Sequence, residues 1–175
     1  MAFVVRLSIS ALSLLVFLQA RSQGVEFSAG MGLPETPNIG VRYYNESITT
    51  GMSYGFISSL DLRTINLDFG VHYGKPAKKS VAKKSVGRIM YTNYREETNT
   101  RIFRYSYLTL RAGRNFFFSN NFGLNLEGGI SFQVGEDVEN KSGTFDPTSL
   151  FIDFDVMPSA SLRFFYRLAQ TSQPE

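Results

Sequence analysis

The chain has no cysteine and a single histidine in 175 residues. Without cysteine there is no disulfide framework, no thiol chemistry and no lipidated N-terminal Cys, so a disulfide-stapled secreted scaffold and a lipoprotein are both excluded. One histidine leaves only carboxylates for a metal. The acidic run Glu136, Asp137 and Glu139 therefore reads as a solvated loop, and neither metal nor cofactor is expected. Past residue 24 no apolar run is long enough to cross a bilayer as a helix, and a mean hydropathy of −0.10 is too polar for a bundle of such helices. The length is that of one domain.

What is abundant points the other way. With Phe 16, Tyr 9 and Gly 15, the composition favours strands, tight turns and membrane interfaces over helices. At the N-terminus, Arg6 precedes an apolar stretch from Leu7 to Leu18, followed by Ala20 and Ser22 at the two positions a signal peptidase reads. The stretch is about 12 residues where a bilayer core needs roughly 20, so residues 1–22 read as a cleaved export signal rather than an anchor. Cleavage removes Arg6 and Arg21, leaving sixteen basic against fifteen acidic residues, a net charge of +1. No nucleic-acid partner is expected from so small a charge.

Between Phe122 and Val134 polarity alternates from residue to residue. Phe122, Leu124, Leu126, Ile130, Phe132 and Val134 interleave with Gly123, Asn125, Glu127, Gly129, Ser131 and Gln133, the period of a strand with one greasy and one polar face. The same dyad recurs at 25–33, 65–73 and 154–168. Marking turns where Pro, Gly, Asn, Asp or Ser clusters interrupt alternation gives eight strands. They are expected at 24–33, 38–44, 48–58, 62–73, 86–95, 101–116, 122–135 and 150–168, within a barrel domain at 23–168 and ahead of a disordered tail at 169–175. An even number of strands closes an antiparallel up-and-down transmembrane β-barrel and returns both termini to one side, and closure leaves no open edge in lipid. Connections at 34–37, 59–61, 96–100 and 136–149 then face outward; those at 45–47, 75–85 and 117–121 face the periplasm. Residues 75–85 are long for a periplasmic turn. The competing arrangement makes 75–101 one large outer loop and leaves six strands.

On the apolar face lie Val25, Phe27, Met31, Leu33, Ile65, Leu67, Phe69, Val71, Leu108, Leu110, Leu124, Leu126, Ile130, Phe132, Val156, Leu162 and Phe164, with no charge among them. Glu26, Arg42, Asp68, His72, Arg111, Glu127, Asp155, Arg163 and Arg167 share the other face with many glycines. A soluble lipocalin-type barrel inverts this logic, placing the greasy face inside. Glycine on the charged face favours the membrane arrangement. So do aromatics near strand ends, Tyr43, Tyr44, Tyr54, Phe56, Tyr73, Tyr105, Tyr107, Phe116, Phe117, Phe118, Phe122, Phe165 and Tyr166, which would form interface girdles.

The signal segment with Gln23 after the cut, Val25–Leu33, the Gly-Val-Arg-Tyr-Tyr run at 40–44, Ile65–Tyr73 ending in Val71-His72-Tyr73-Gly74, and Leu124–Val134 together resemble the small outer-membrane β-barrel proteins of Bacteroidetes. More distantly the chain is similar to the eight-stranded OmpA and OmpX type. The resemblance implies residence in the outer membrane of a Gram-negative bacterium, contact with its lipid, and a last strand (Leu162, Phe164, Tyr166, Leu168) read by the barrel-assembly machinery. The chain departs from the pattern by continuing to Glu175.

Catalysis finds little footing. His72 lies near Asp68 on one face, but no G-x-S-x-G or comparable serine motif accompanies the pair, so His72 reads as an interior hydrogen-bonding residue and no enzyme activity is expected. Glu26, Asp68, Glu127 and Asp155 are matched in the same interior by Arg42, Arg111, Arg163 and Arg63. An unpaired charge there would cost several kcal/mol, which predicts a paired network that plugs the barrel. Replacing both Arg163 and Arg111 with Ala should then lower the thermal unfolding temperature in detergent. The tandem Ala-Lys-Lys-Ser-Val repeat at 77–86 reads as a solvated turn, with Lys78, Lys79, Lys83 and Lys84 as a candidate anion-docking patch for phosphates or an acidic partner. Two function classes follow. One is a structural or interaction barrel of the envelope with an envelope protein partner; the other is a small-solute carrier or narrow channel.

Overall fold

The computed structural model describes residues 24–45, 47–77, 80–98, 100–140 and 155–168; the expected signal segment and tail lie outside them. Eight antiparallel strands close into an up-and-down barrel in sequence order. They are β1 (Gly24–Leu33), β2 (Asn38–Tyr44), β3 (Ile48–Ile57), β4 (Leu62–Ala77), β5 (Ser80–Glu97), β6 (Arg101–Phe117), β7 (Phe122–Asn140) and β8 (Val156–Arg167). The seam is an eight-residue ladder between β1 and β8, from Glu26 opposite Arg167 to Leu33 opposite Ala160. With β5 paired to β4 from Ser80 to Glu96 and to β6 from Ser85 to Glu97, the six-stranded arrangement is ruled out.

Alternation sorts the side chains as a strand must. On β4, Leu62, Thr64, Asn66, Asp68 and His72 are buried while Ile65, Leu67, Phe69, Val71 and Tyr73 are exposed. The polar face therefore turns into the lumen, and the large apolar side chains turn out around the barrel, as with Ile39 on β2, Phe56 on β3 and Phe164 on β8.

Three expectations are corrected. The connection at 75–85 is not a long loop: β4 and β5 run on as a ribbon, with Tyr73 opposite Ser85 and Ala77 opposite Ser80. The ladder shifts register after Tyr73, at Gly74, whose φ of +88° only glycine adopts easily. β7 likewise continues through Asn140 against β6, so Glu136–Glu139 are strand residues. Finally, Tyr105, Tyr107 and Phe165 do not belong to an outer girdle, since all three are buried inside the barrel. The remainder of the expected loop at 141–149 lies outside the described residues.

Candidate functional site in the barrel lumen

Register builds a line of alternating charge down the lumen. Glu26 stands opposite Arg167 on β8 and Arg42 on β2, and both arginines reach it, at 2.9 Å and 3.8 Å. Arg42 lies beside Gly51 of β3, which lies beside Asp68 of β4. Without a side chain at Gly51, where a Cβ would collide with the Arg42 stem, the guanidinium passes over β3. Its Nε donates to both Asp68 oxygens at 3.0 Å, and Nη2 lies 2.9 Å from Oδ2. Arg88 of β5 donates to Asp68 from the other side and to Glu127 through Nε at 2.9 Å. The result is a row Arg167–Glu26–Arg42–Asp68–Arg88–Glu127, every member buried.

A second cluster hangs from the β1–β2 turn. Pro34, Glu35 and Thr36 are buried, so the turn folds into the barrel mouth, and Glu35 accepts from Arg111 at 2.9 Å and Arg163 at 3.0 Å. Arg111 also donates to the Leu33 carbonyl and to Ser159 Oγ, both at 2.6 Å. Thr64 Oγ1 donates to the Glu35 carbonyl at 2.8 Å. Gly55 makes room, because a Cβ there would sit 2.6 Å from that carbonyl.

The two ends are filled differently. At the end where β8 finishes, the Arg167 guanidinium is stacked among Tyr44, Phe165 and Phe117, at 4.4, 4.9 and 5.2 Å from their ring centroids, a cation–π arrangement that also holds Glu26. At the opposite end Leu62, Tyr94, Phe103, Tyr105 and Tyr107 form an apolar cluster.

Of the residues singled out in the sequence, Glu26, Arg42, Asp68, Arg111, Glu127 and Arg163 meet in these clusters. His72 is buried among neutral partners, 3.3 Å from Thr49 Oγ1 and 3.3 Å from Asn115 Nδ2, while Asp68 is taken by two arginines. Asp155 is corrected: it is exposed just ahead of β8, outside the network. So is Arg63, which pairs with Asp61 on the exposed outer face at 3.2 Å. Lys78 and Lys79 lie outside the described residues. Lys83 is on the β4–β5 ribbon opposite Pro76, and Lys84 is half-buried on the same strand. Glu35 and Arg88 were absent from the expected network. Glu35 sat in a proline-flanked turn with no periodicity to read, and Arg88 in the strand with the weakest alternation.

Glu35 has a distinct pH signature. Burial alone would raise its carboxyl, but the Arg163 and Arg111 guanidiniums overcome that and hold it down from 4.5 to about 2. A depressed carboxylate contributes stability that is complete above pH 4.5 and is lost as pH falls through about 2. Glu35→Gln should therefore lower the urea midpoint at pH 7 and flatten its decline between pH 4.5 and 2, measured by circular dichroism. An unchanged slope would remove Glu35 from the account of acid sensitivity.

Comparison of the chain with models of protein families, with curated proteins and with solved structures finds no match.

Proposed function

We propose that this chain is an outer-membrane β-barrel of a Gram-negative bacterium, of the small OmpA- and OmpX-like kind, with a structural or interaction role at the cell envelope rather than a catalytic one. One observation carries the reading: the barrel is inside-out. Among the described residues ten charged side chains, Glu26, Glu35, Arg42, Asp68, Arg88, Glu96, Arg111, Glu127, Arg163 and Arg167, are buried within it, whereas Met31, Ile39, Phe56 and Val156, each more than half exposed, stand outside. In water such an exterior would be a very large apolar patch; against hydrocarbon it is the favoured arrangement. The same outward face weighs against a soluble lipocalin-like binding barrel.

The loops at the end carrying Glu35 and the aromatic cluster are the natural place for an envelope partner, and the outward-facing Leu162, Phe164 and Tyr166 of β8, with exposed Leu168 just after it, suit docking to the assembly machinery. Cell fractionation with gel electrophoresis of unboiled and boiled samples tests the reading. An outer-membrane band that shifts on boiling supports it, and a soluble periplasmic protein overturns it.

A filled, charge-paired lumen favours this role over a carrier or channel. Reconstituted in planar bilayers, the protein should give no stable conductance steps. Regular steps would restore the channel reading.

A further inference from the structure

The connection from β3 to β4 carries an open recess on the outside of the barrel that neither lumen cluster uses. Tyr54 and Phe56, two residues apart on β3, turn outward side by side, with ring centroids 6.4 Å apart and planes 26° from parallel. Phe56 lies directly opposite Arg63 on β4, and Arg63 Nη2 donates to Asp61 Oδ1 at 3.2 Å. These four side chains line a concavity of about 360 Å³, and each of them is roughly half exposed. The main chain fixes where the acid stands. Asp61 has a φ of +43°, a left-handed backbone that aspartate tolerates better than most residues. Its N–H donates to the Ser58 carbonyl and its own carbonyl accepts from the Glu97 N–H, both at 3.3 Å, which leaves the carboxylate to Arg63 and the open side of the recess.

An ion pair this exposed contributes about 0–1 kcal/mol to stability, so the fold does not depend on it. What it offers is recognition. The pair is charge-balanced and gives an ionic ligand no net counter-charge, but it sets carboxylate acceptors beside guanidinium donors, most of which the pair leaves unused. Next to them, the faces of Tyr54 and Phe56 carry a negative quadrupole that suits an apolar C–H surface. A pyranose sugar presents both, hydroxyl groups around its rim and C–H bonds across its face. Size agrees, since small-molecule sites begin at about 300 Å³, enough for one or two sugar rings. An aromatic girdle at a membrane boundary accounts for Tyr54 and Phe56, but not for the Asp61–Arg63 pair that forms the other wall. We propose that this recess binds a pyranose sugar, with the C–H face on Phe56 and Tyr54 and the hydroxyls on Asp61 and Arg63. A free saccharide and the headgroup of a glycolipid share this chemistry, and the test separates them.

The refolded full chain is held in an amine-oxide detergent, which has no sugar head to compete. The methyl pyranosides of glucose, galactose and mannose are titrated and followed by saturation-transfer NMR, with sorbitol, a polyol that has hydroxyls but no ring face, as the control. Saturable transfer to at least one pyranoside and none to sorbitol is expected. Affinity should fall about fivefold or more in Phe56→Leu, which loses the ring face, and in Arg63→Gln and Asp61→Asn, which lose charge-assisted hydrogen bonds. Asparagine tolerates the left-handed backbone, so the turn is kept. Affinity should be unchanged in Arg114→Gln, exposed on β6 opposite Ser85 and far from the recess. Unboiled gel mobility establishes that each variant is folded. In a second arm the chain is reconstituted in vesicles of phosphatidylcholine and galactosyl diacylglycerol, extracted again, and its retained lipid identified by mass spectrometry. Enrichment of the galactolipid by the parent chain but not by Arg63→Gln supports the proposal with a headgroup as the source; pyranoside binding without enrichment supports it with a free saccharide. No saturable transfer and no enrichment, equal transfer to sorbitol, or equal affinity in folded Phe56→Leu and Arg63→Gln overturns it. None of these outcomes bears on the envelope reading, which fractionation decides.

Discussion

Asp68→Ala is expected to lower the unfolding free energy by about 3–5 kcal/mol, because it removes one partner of a buried charge network and leaves others uncompensated. Asp68 is the joint of the line, accepting from Arg42 on one side and Arg88 on the other, with its side chain fully buried. Arg42 keeps only the 3.8 Å contact with Glu26 and a hydrogen bond to Ser28, and Arg88 keeps only Glu127. Removing the Arg63–Asp61 pair, which is about half exposed on both sides, should cost about 0–1 kcal/mol, as surface pairs do. Urea unfolding of the two variants side by side measures the contrast. Equal, small effects would mean that the lumen network contributes no more than a surface pair.

Leu67→Arg carries the second large effect, and its size depends on what surrounds the barrel. Leu67 is exposed at the middle of β4, flanked by Met52 on β3 and Tyr91 on β5. If hydrocarbon covers this surface, an arginine there costs about 2–4 kcal/mol; facing water, the same change removes an exposed apolar group and costs close to nothing. Ser58→Arg, in the exposed connection between β3 and β4, is the matched control and should be near neutral. Unfolding from lipid vesicles reads both.

Much of this architecture was legible because lumen and exterior differ in polarity at every step of β1, β4 and β7. It failed where that difference blurs. On β5 the inward positions include Val86, Met90 and Tyr94, while Asn93 and Arg95 are not buried, so the strand alternates in direction without alternating cleanly in polarity, and Arg88 was missed with it. Tyr105 and Tyr107 share the inward parity of Thr109 and Arg111 on β6; their aromatic character suggested an interface, but strand geometry put them inside. Asp155 follows the parity of Met157 and Ser159, and its carbonyl accepts from the Gln133 N–H at 2.9 Å, yet it precedes the first residue of β8 and its side chain is exposed. Glu35 lay beyond any periodic pattern. Its only trace was glycine at Gly32 and Gly55, the two places where the inward turn comes closest to neighbouring strands.

The central claim, that the apolar face meets lipid and the charged face the lumen, can be read from a single reporter. The chain contains no tryptophan, so Leu67→Trp and Ser58→Trp each give one indole signal in vesicles of lipids brominated near the middle of the acyl chain. Strong quenching of the Leu67→Trp emission with little quenching of Ser58→Trp is predicted. Unquenched emission from Leu67→Trp, with the protein recovered apart from the vesicles, would contradict it.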